Sequence, residues 1–456
     1  MHNKTRINCA LLLMVYLLIS ACGSGTATNT AADSQAGATA VSSPAAADVS
    51  AAAESATPSA VPAAPLSGGS LVASELISTP LAKDVTATFT WIGIPAPATS
   101  YRVACYKLTY TTPDTSNALV NASGLVCLPQ GKTSPSALLS YQHGTISHGL
   151  EAPTSVISEN FWVSAATASL GYVTLAPDYL GYGDSKTTLH PYLHAKTLSA
   201  AVVNLLRAAK LFMALPEIHT TTNGQLFLAG YSEGGYATLA AQKRIELELA
   251  SEFTVTASEP GAGPYDMTGT VQKQLAAANL SAPAAAAFLA TSYDMIYNTP
   301  SRISYYFTAA HADQMATLFS GRYNDSAINT LLGVTSSSPS ISTNSLFNQA
   351  FLDSFNGSGE TALKSAIADN NLYNWKPTAP TILFHGLSDD TVPYTNTTTA
   401  LLAMQANGAA NVTVHSCNAG SLPTTHANCG LPYLVDMMNT FSTITSDPYL
   451  IAIPRR

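Results

Sequence analysis

The sequence predicts an α/β fold, with a mostly parallel sheet and helices on both faces. Three observations carry this reading. Short apolar runs recur and alternate with helical patterns. The runs end in glycine-rich or polar loops, as buried strands do. A Gly-x-Ser-x-Gly motif stands where one such run gives way to a helix. The chain has 456 residues, of which 46 % are hydrophobic and 10 % charged, against roughly 25 % charged in an ordinary globular protein. That balance excludes a coiled coil and a charge-driven disordered chain. The net charge of -8 argues against nucleic acid as a partner, because such binding rests on a basic face.

At the amino terminus, Lys4 and Arg6 precede an apolar run over 9–19. It is too short to span a bilayer, which takes about 20 residues. It ends in Ile19-Ser20-Ala21-Cys22, which resembles the lipobox of bacterial lipoproteins. The resemblance implies a signal peptide over 1–21, cleavage before Cys22 and acylation of its thiol. It also implies the outer membrane as destination, because Gly23 rather than Asp follows. The membrane is then a partner through the lipid anchor, held stably when more than one acyl chain is attached. Residues 22–65 are nearly all Ala, Ser, Thr, Pro and Gly without apolar periodicity. Such a segment cannot bury enough surface to offset its ordering entropy, so a flexible tether is expected. One folded body, 66–456, remains.

Six cysteines are present. With Cys9 in the signal and Cys22 in the lipobox, Cys105, Cys127, Cys417 and Cys429 are left. An even remainder in an exported chain suggests two disulfides, with three possible pairings. Geometry favours the local one, Cys105–Cys127 with Cys417–Cys429. Residues 103–110 and 119–128 read as strands around a Pro113-Asp114 turn, which sets Cys105 opposite Cys127.

In the body, strands are expected at 137–141, 171–176, 225–229, 253–257, 381–384 and 411–414. Helices are expected at 194–215, 234–249, 271–278 and 284–297. The first places Leu198, Ala201, Val202, Leu205, Leu206 and Ala209 on one face. From about 261 to 375 the alternation fails and Ala, Ser, Asn and Tyr dominate; an inserted, largely helical cap is expected there. No internal repeat is visible.

Gly230-Tyr231-Ser232-Glu233-Gly234 follows the 225–229 run and opens a helix, the context of a nucleophile elbow. Glycines serve there because side chains would collide with the neighbouring strand and helix. A serine hydroxyl needs a base held by a carboxylate, and this arrangement supplies acid and then histidine after later strands. After 381–384 come His385-Gly386-Leu387-Ser388-Asp389-Asp390-Thr391-Val392-Pro393, which offers Asp389 or Asp390 as the acid. Of ten histidines, His2 lies in the signal, His415 in an apparent strand and His385 before the acid loop. His426 follows the last strand, in a loop that a Cys417–Cys429 bridge would close. An oxyanion hole would take the Glu233 amide and one from Gln142-His143-Gly144-Thr145, with Thr145 the preferred donor and Gly144 the second. The Glu233 side chain is expected to hold a structural partner, and the 178–185 loop to brace the site. No His, Cys and carboxylate cluster has metal-ligand spacing, so no metal or cofactor is expected.

Ala176-Pro177-Asp178-Tyr179-Leu180-Gly181-Tyr182-Gly183, His190-Pro191-Tyr192, Gly230-Tyr231-Ser232-Glu233-Gly234-Gly235 and Asp369-Asn370-Asn371-Leu372-Tyr373-Asn374-Trp375 together resemble bacterial α/β-hydrolases of the secretory-lipase type, related to fungal lipase A. The resemblance runs from about residue 66 to the end. It implies an α/β-hydrolase fold with an inserted cap and a serine carboxylesterase or lipase acting on an ester or lipid substrate. It carries the triad onto Ser232, Asp389 and His426. The pattern His-Gly-x-x-Asp-x-x-Val-Pro, frequent at the acid loop of this fold, selects Asp389 over Asp390. Some members of the group have Gly after the nucleophile where this chain has Glu233. Two alternatives stand beside this reading: a serine peptidase or acyltransferase on the same fold, and a non-catalytic lipoprotein binding module.

Overall fold

The computed structural model describes residues 68–453. The expected signal peptide 1–21, the lipidation candidate Cys22 and the tether 22–65 lie outside the described residues. The first elements are β1 (Leu71–Ser78) and α1 (Ala82–Ile92), neither of which the sequence pattern singled out. β1 is an edge strand exposed along most of its length, so no inside–outside alternation marks it. β2 (Arg102–Pro113) and β3 (Leu119–Gln130) form the hairpin, with Cys105 opposite Cys127 in the register and bonded to it. Asp114 closes the turn by accepting from the Ser116 and Ala118 amides at 2.8 and 2.9 Å. Aspartate suits this place because its side chain substitutes for a backbone carbonyl.

Strand and helix then alternate through β4 (Ser136–Gln142), α2 (Glu159–Ser169), β5 (Val173–Pro177), α3 (Ala195–Met213), β6 (Thr222–Tyr231), α4 (Glu233–Glu248) and β7 (Ala257–Gly261). β4 is buried at every residue, as a strand covered on both faces must be. α3 buries the apolar face read from its spacing and leaves Lys196 and Lys210 exposed.

Residues 262–380 leave this sheet. They hold α5 (Met267–Ala276), β8 (Asn279–Leu280), α6 (Pro283–Tyr297), α7 (Asp325–Leu331), β9 (Ile341–Ser342), α8 (Gln349–Asn356) and α9 (Thr361–Asp369), with β8 and β9 pairing only with each other. The insertion is thus largely helical, in short pieces. The chain returns to the sheet through β10 (Thr381–His385), α10 (Thr395–Ala406), β11 (Val412–Ser416) and α11 (His426–Ile444).

The nine-stranded sheet has the order β1-β2-β3-β5-β4-β6-β7-β10-β11. β1, β2, β3 and β5 pair antiparallel, and every pair from β5 to β11 is parallel. Each face has its own core. Leu205, Phe212 and Ile245 of α3 and α4 pack with Leu108, Val126 and Leu175 on one side. Phe89, Phe161 and Phe441 of α1, α2 and α11 pack with Tyr172 and Phe227 on the other. A third core, including Phe288, Phe347 and Phe351, holds the insertion together and reaches Tyr192 and Tyr236 of the body.

Two local expectations are corrected. The strand expected at 253–257 begins only at Ala257, and 253–256 is loop. Ser258, Glu259 and Pro260 look unlike a central strand, yet they lie between β6 and β10. The Tyr433 hydroxyl bridges this place, accepting from the Gly230 amide and donating to the Glu259 carbonyl, both at 2.6 Å. His426 opens α11 rather than standing in a loop. Among the described residues no helix is long and apolar enough to cross a membrane.

Candidate active site

β6 ends at Tyr231 and α4 starts at Glu233, leaving Ser232 alone between them with φ 61° and ψ -123°. A non-glycine residue in that region stores on the order of 1–3 kcal/mol and needs its surroundings to hold it. The Ser232 amide donates to the Gly261 carbonyl at 2.8 Å, and the Ser232 carbonyl accepts from the Tyr236 amide at 3.0 Å. The glycines are forced by crowding. A Cβ on Gly230 or Gly234 would run into the Gln142 carbonyl oxygen, and one on Gly235 into that of Gly261.

The Ser232 hydroxyl donates to His426 Nε2 at 2.8 Å, and His426 Nδ1 donates to Asp389 Oδ2 at 2.6 Å. The Asp389 side chain is fully buried and that of His426 is 15 % exposed, so the imidazole opens on the cavity while the carboxylate is shut from solvent. Asp389 Oδ1 accepts the amides of Thr391 and Val392 at 2.9 and 2.8 Å. His385 Nε2 lies 3.1 Å from Asp389 Oδ2 and 3.0 Å from the Val392 carbonyl oxygen. A carbonyl only accepts, so that nitrogen carries a proton and donates to both. Burial pushes the Asp389 carboxyl up, but the bonds from His385 and His426 outweigh it and hold it well below the usual carboxylate range.

His426 is fixed from several sides. The Cys417–Cys429 disulfide ties the first turn of α11, which His426 opens, to the end of the sheet. Thr425 caps α11, and the Tyr231 hydroxyl donates to the His426 carbonyl at 2.8 Å. A helix amino terminus disfavours a cation by about 0.3–1 kcal/mol; Asp390 Oδ1, 3.3 Å from the His426 amide, brings an opposing charge there. Asp390 therefore meets the backbone of His426 and Asp389 meets its ring.

Gly144 lies against the elbow: a Cβ there would come within 3.2 Å of the Tyr231 carbonyl oxygen and 3.7 Å of Ser232 Cβ. Thr145 follows it at the wall of a cavity of about 590 Å³ that also takes in Ser232 and His426. Met267, Leu289 and Asn329 of the insertion line the same cavity. A second chamber of about 440 Å³ adjoins it across Gln274, Ser281 and Thr391. The Glu233 carboxylate turns inward and meets His190. Asp178 accepts from Ser123 Oγ at 2.6 Å and from the Thr154 amide and hydroxyl at 2.9 and 2.7 Å, joining the 178–185 loop to β3.

Ser232, His426 and Asp389 thus come together from three separate stretches, with Gly144, Thr145 and Glu233 around them. The four body cysteines pair locally, and none of them lines the cavity. Two contacts escaped the sequence reading. The sequence places His385 only as the residue before the acid loop, and its four-residue spacing from Asp389 is the signal for its bond to the carboxylate. Tyr192 meets Thr145 through its hydroxyl at 3.0 Å, and only its place beside His190 in the quoted motif hinted at it. Among the described residues no cluster of three or more His, Cys, Asp or Glu is placed to hold a metal ion.

A family model described as secretory lipase matches residues 146–427. No curated protein matches the sequence. Among solved structures, one described as a hydrolase from Legionella pneumophila is 25 % identical with a TM-score of 0.73, over 83 % of this chain and 99 % of that one. The rice cell wall degrading esterase LipA from Xanthomonas oryzae is 25 % identical with a TM-score of 0.67, over 82 % of this chain and 96 % of that one. Candida antarctica lipase A in its closed state is 17 % identical with a TM-score of 0.61, over 86 % and 84 %; that likeness speaks to the fold. The fold is that of the α/β-hydrolases.

Proposed function

The chain belongs to the secretory lipase family and is an ester hydrolase, and from that premise we propose that it is a serine carboxylesterase or lipase working through Ser232, His426 and Asp389. The observation that carries the reading is the unbroken line of hydrogen bonds from Ser232 Oγ through His426 to Asp389, 2.8 and 2.6 Å long and opening on the cavity.

In the first half-reaction Ser232 Oγ attacks the ester carbonyl while its proton passes to His426 Nε2. Asp389 keeps the imidazole in the tautomer with Nδ1 protonated and stabilises the cation that forms. The amides of Glu233 and Thr145, with Gly144 second, receive the oxyanion; one such donor is worth about 3 kcal/mol. His426 then protonates the leaving alkoxide as the carbon–oxygen bond breaks, giving the acyl-enzyme and a free alcohol. Water repeats the sequence, with His426 first taking its proton and then returning one to Ser232, and releases the acid. The insertion 262–380 acts as the cap: it supplies the wall opposite the elbow and hence the shape that selects the acyl or alcohol part. A peptidase of this class needs an acidic side chain to anchor a free amine; the Glu233 carboxylate beside the nucleophile is engaged by His190, which favours the ester reading.

The test is hydrolysis of p-nitrophenyl butyrate by the full chain, with mass-spectrometric mapping of a fluorophosphonate label. Loss of both turnover and label in Ser232→Ala is expected. A Ser232→Ala variant as fast as the wild type would sink the assignment. For the amino terminus, we propose export with a lipid on Cys22 that holds the body at the outer membrane. The wild type should enter the detergent phase of a Triton X-114 partition and Cys22→Ser the aqueous phase; equal partition would refute the anchor.

A further inference from the structure

The two amides proposed for the oxyanion belong to residues whose side chains are tied to one buried cluster. Glu233 is 1 % exposed, and its Oε1 lies 2.7 Å from Nε2 of His190, itself 2 % exposed. The other ring nitrogen, Nδ1, is 2.6 Å from the Leu180 carbonyl oxygen. That oxygen only accepts, so Nδ1 carries a proton, and a second proton lies between Nε2 and the carboxylate. Wherever it rests along that bond, the pair as a whole carries no net charge.

Four rings surround the imidazole. Tyr179, Tyr182, Tyr192 and Phe288 have centroids 5.9, 5.0, 6.2 and 5.8 Å from it. Tyr192 reaches outward in two directions. Its hydroxyl meets Thr145 Oγ1 at 3.0 Å, and its ring stacks on Phe288 at 4.7 Å with 5° between the planes. Phe288 belongs to α6 of the insertion and stacks in turn on Phe319 at 4.4 Å.

We infer that His190 and Glu233 are a positioning pair for the oxyanion hole, joined through Tyr192 to Thr145 and through Phe288 to the insertion. The inference rests on the reading of Ser232 as nucleophile. The physical reason is charge. A carboxylate on the residue after the nucleophile, in a site shielded from water, opposes the negative charge that develops on the carbonyl oxygen. His190 cancels that charge and fixes the side chain at the first turn of α4. Removing His190 strands a carboxylate beside the oxyanion, a penalty felt in the transition state more than on substrate binding.

The experiment compares His190→Gln, Glu233→Gln, the double variant and Tyr192→Phe in the full chain. The readouts are kcat and KM on p-nitrophenyl butyrate, and inhibition by an alkyl trifluoromethyl ketone, which forms an oxyanion on the nucleophile. His190→Gln should lower kcat by about tenfold or more with KM within about twofold, and weaken the ketone by a similar factor. The double variant, which removes the stranded charge, should be at least about threefold faster than His190→Gln alone. Tyr192→Phe keeps the ring and loses the bond to Thr145. It should lower kcat about threefold at unchanged KM, and it decides the matter if His190→Gln does not fold. The inference is overturned by a His190→Gln kcat within twofold of wild type, by a double variant slower than the single one, by a loss confined to KM or thermal stability, or by an unchanged Tyr192→Phe. Ser232→Ala in the same series tells the two readings apart. If it keeps the wild-type rate the nucleophile is wrong; if it is dead while the cluster variants are not impaired, only the positioning pair is wrong.

Discussion

Replacing Asp389 with Asn changes the site by one atom, and the local bonds decide which atom. Oδ1 accepts two backbone amides, those of Thr391 and Val392. An amide NH2 there would face two donors, so the Asn oxygen must occupy that position. The NH2 then falls where Oδ2 was, facing His426 Nδ1 and His385 Nε2. His385 Nε2 is already protonated by its bond to the Val392 carbonyl, which leaves two donors head to head. At His426 the NH2 donates to Nδ1 and drives the ring proton to Nε2, the atom that must accept from Ser232. The base is lost although the geometry survives. A fall of about 10⁴ in kcat follows, or about 5.4 kcal/mol at 1.36 kcal/mol per decade. The measurement is kcat on p-nitrophenyl butyrate at neutral pH, with Asp390→Asn alongside. The Asp390 carboxylate meets the His426 backbone amide and not its ring, so its loss should cost less than about threefold. An Asp389→Asn enzyme within tenfold of wild type, or an Asp390→Asn enzyme as damaged as Asp389→Asn, would refute the reasoning.

Three further outcomes are expected. Gly234→Ala places a Cβ on the Gln142 and His143 carbonyl oxygens, which are backbone and cannot step aside; a loss of about 3 kcal/mol or more in urea unfolding, or no soluble protein, should result, and near-wild-type stability would contradict the crowding argument. Removing the 12-residue Cys417–Cys429 link or the 22-residue Cys105–Cys127 link should each cost about 3 kcal/mol by loop entropy. Only the former, which encloses His426, should also lower kcat well below the melting range, and equal effects on kcat would count against the loop's role. Glu259 is fully buried without a cationic partner among the described residues, and burial, then the nearby Asp436, raises its pKa well above 4.5. Below about pH 4.5 both folded and unfolded chains keep this proton; above it the unfolded chain releases the proton first, so stability falls as pH rises, by at most about 1.4 kcal/mol per pH unit. The stability of Glu259→Gln relative to wild type should therefore grow from pH 4.5 to 7.5 in urea titrations, and a constant difference would show that Glu259 does not titrate this way.

What could be read from the sequence follows the strength of local signals. α3 was legible because its six apolar positions are all buried on one face, Val202, Leu205, Leu206 and Ala209 against the sheet and Leu198 and Ala201 against the core of the insertion. The elbow was legible because its glycines answer a steric demand that recurs wherever a strand turns sharply into a helix. β7 was displaced because its residues after Ala257 are polar or helix- and strand-breaking, and their burial is imposed by β6 and β10 rather than by their own chemistry. α11 was missed because Gly430 and Pro432 interrupt its pattern; Pro432 is its seventh residue, past the first turn in which proline is ordinarily tolerated. Beyond α5 and α6 the insertion offers only short helices, and much of its core joins aromatic residues far apart in sequence, such as Phe288 with Phe319 and Tyr306 with Phe351. His190 and Glu233 are 43 positions apart, and nothing local to either announces the other.

The two tyrosine hydroxyls that join α11 to the end of β6 have a consequence for how such an enzyme can change. Tyr231 holds the carbonyl of His426, and Tyr433 holds the strand one residue before Tyr231. No residue of 262–380 takes part in either bond. Ser232 and His426 therefore share one frame, while most of the roof over them is a separate cassette of sequence. A graft of a relative's cassette should leave the serine–histidine spacing intact, provided it brings an aromatic ring to position 288 and keeps the bonds of Asn370 to Tyr236 and of Ser281 to the Asp390 carbonyl. Selection for a new substrate and selection for the chemistry thus act on different stretches of chain, which must agree at these contacts.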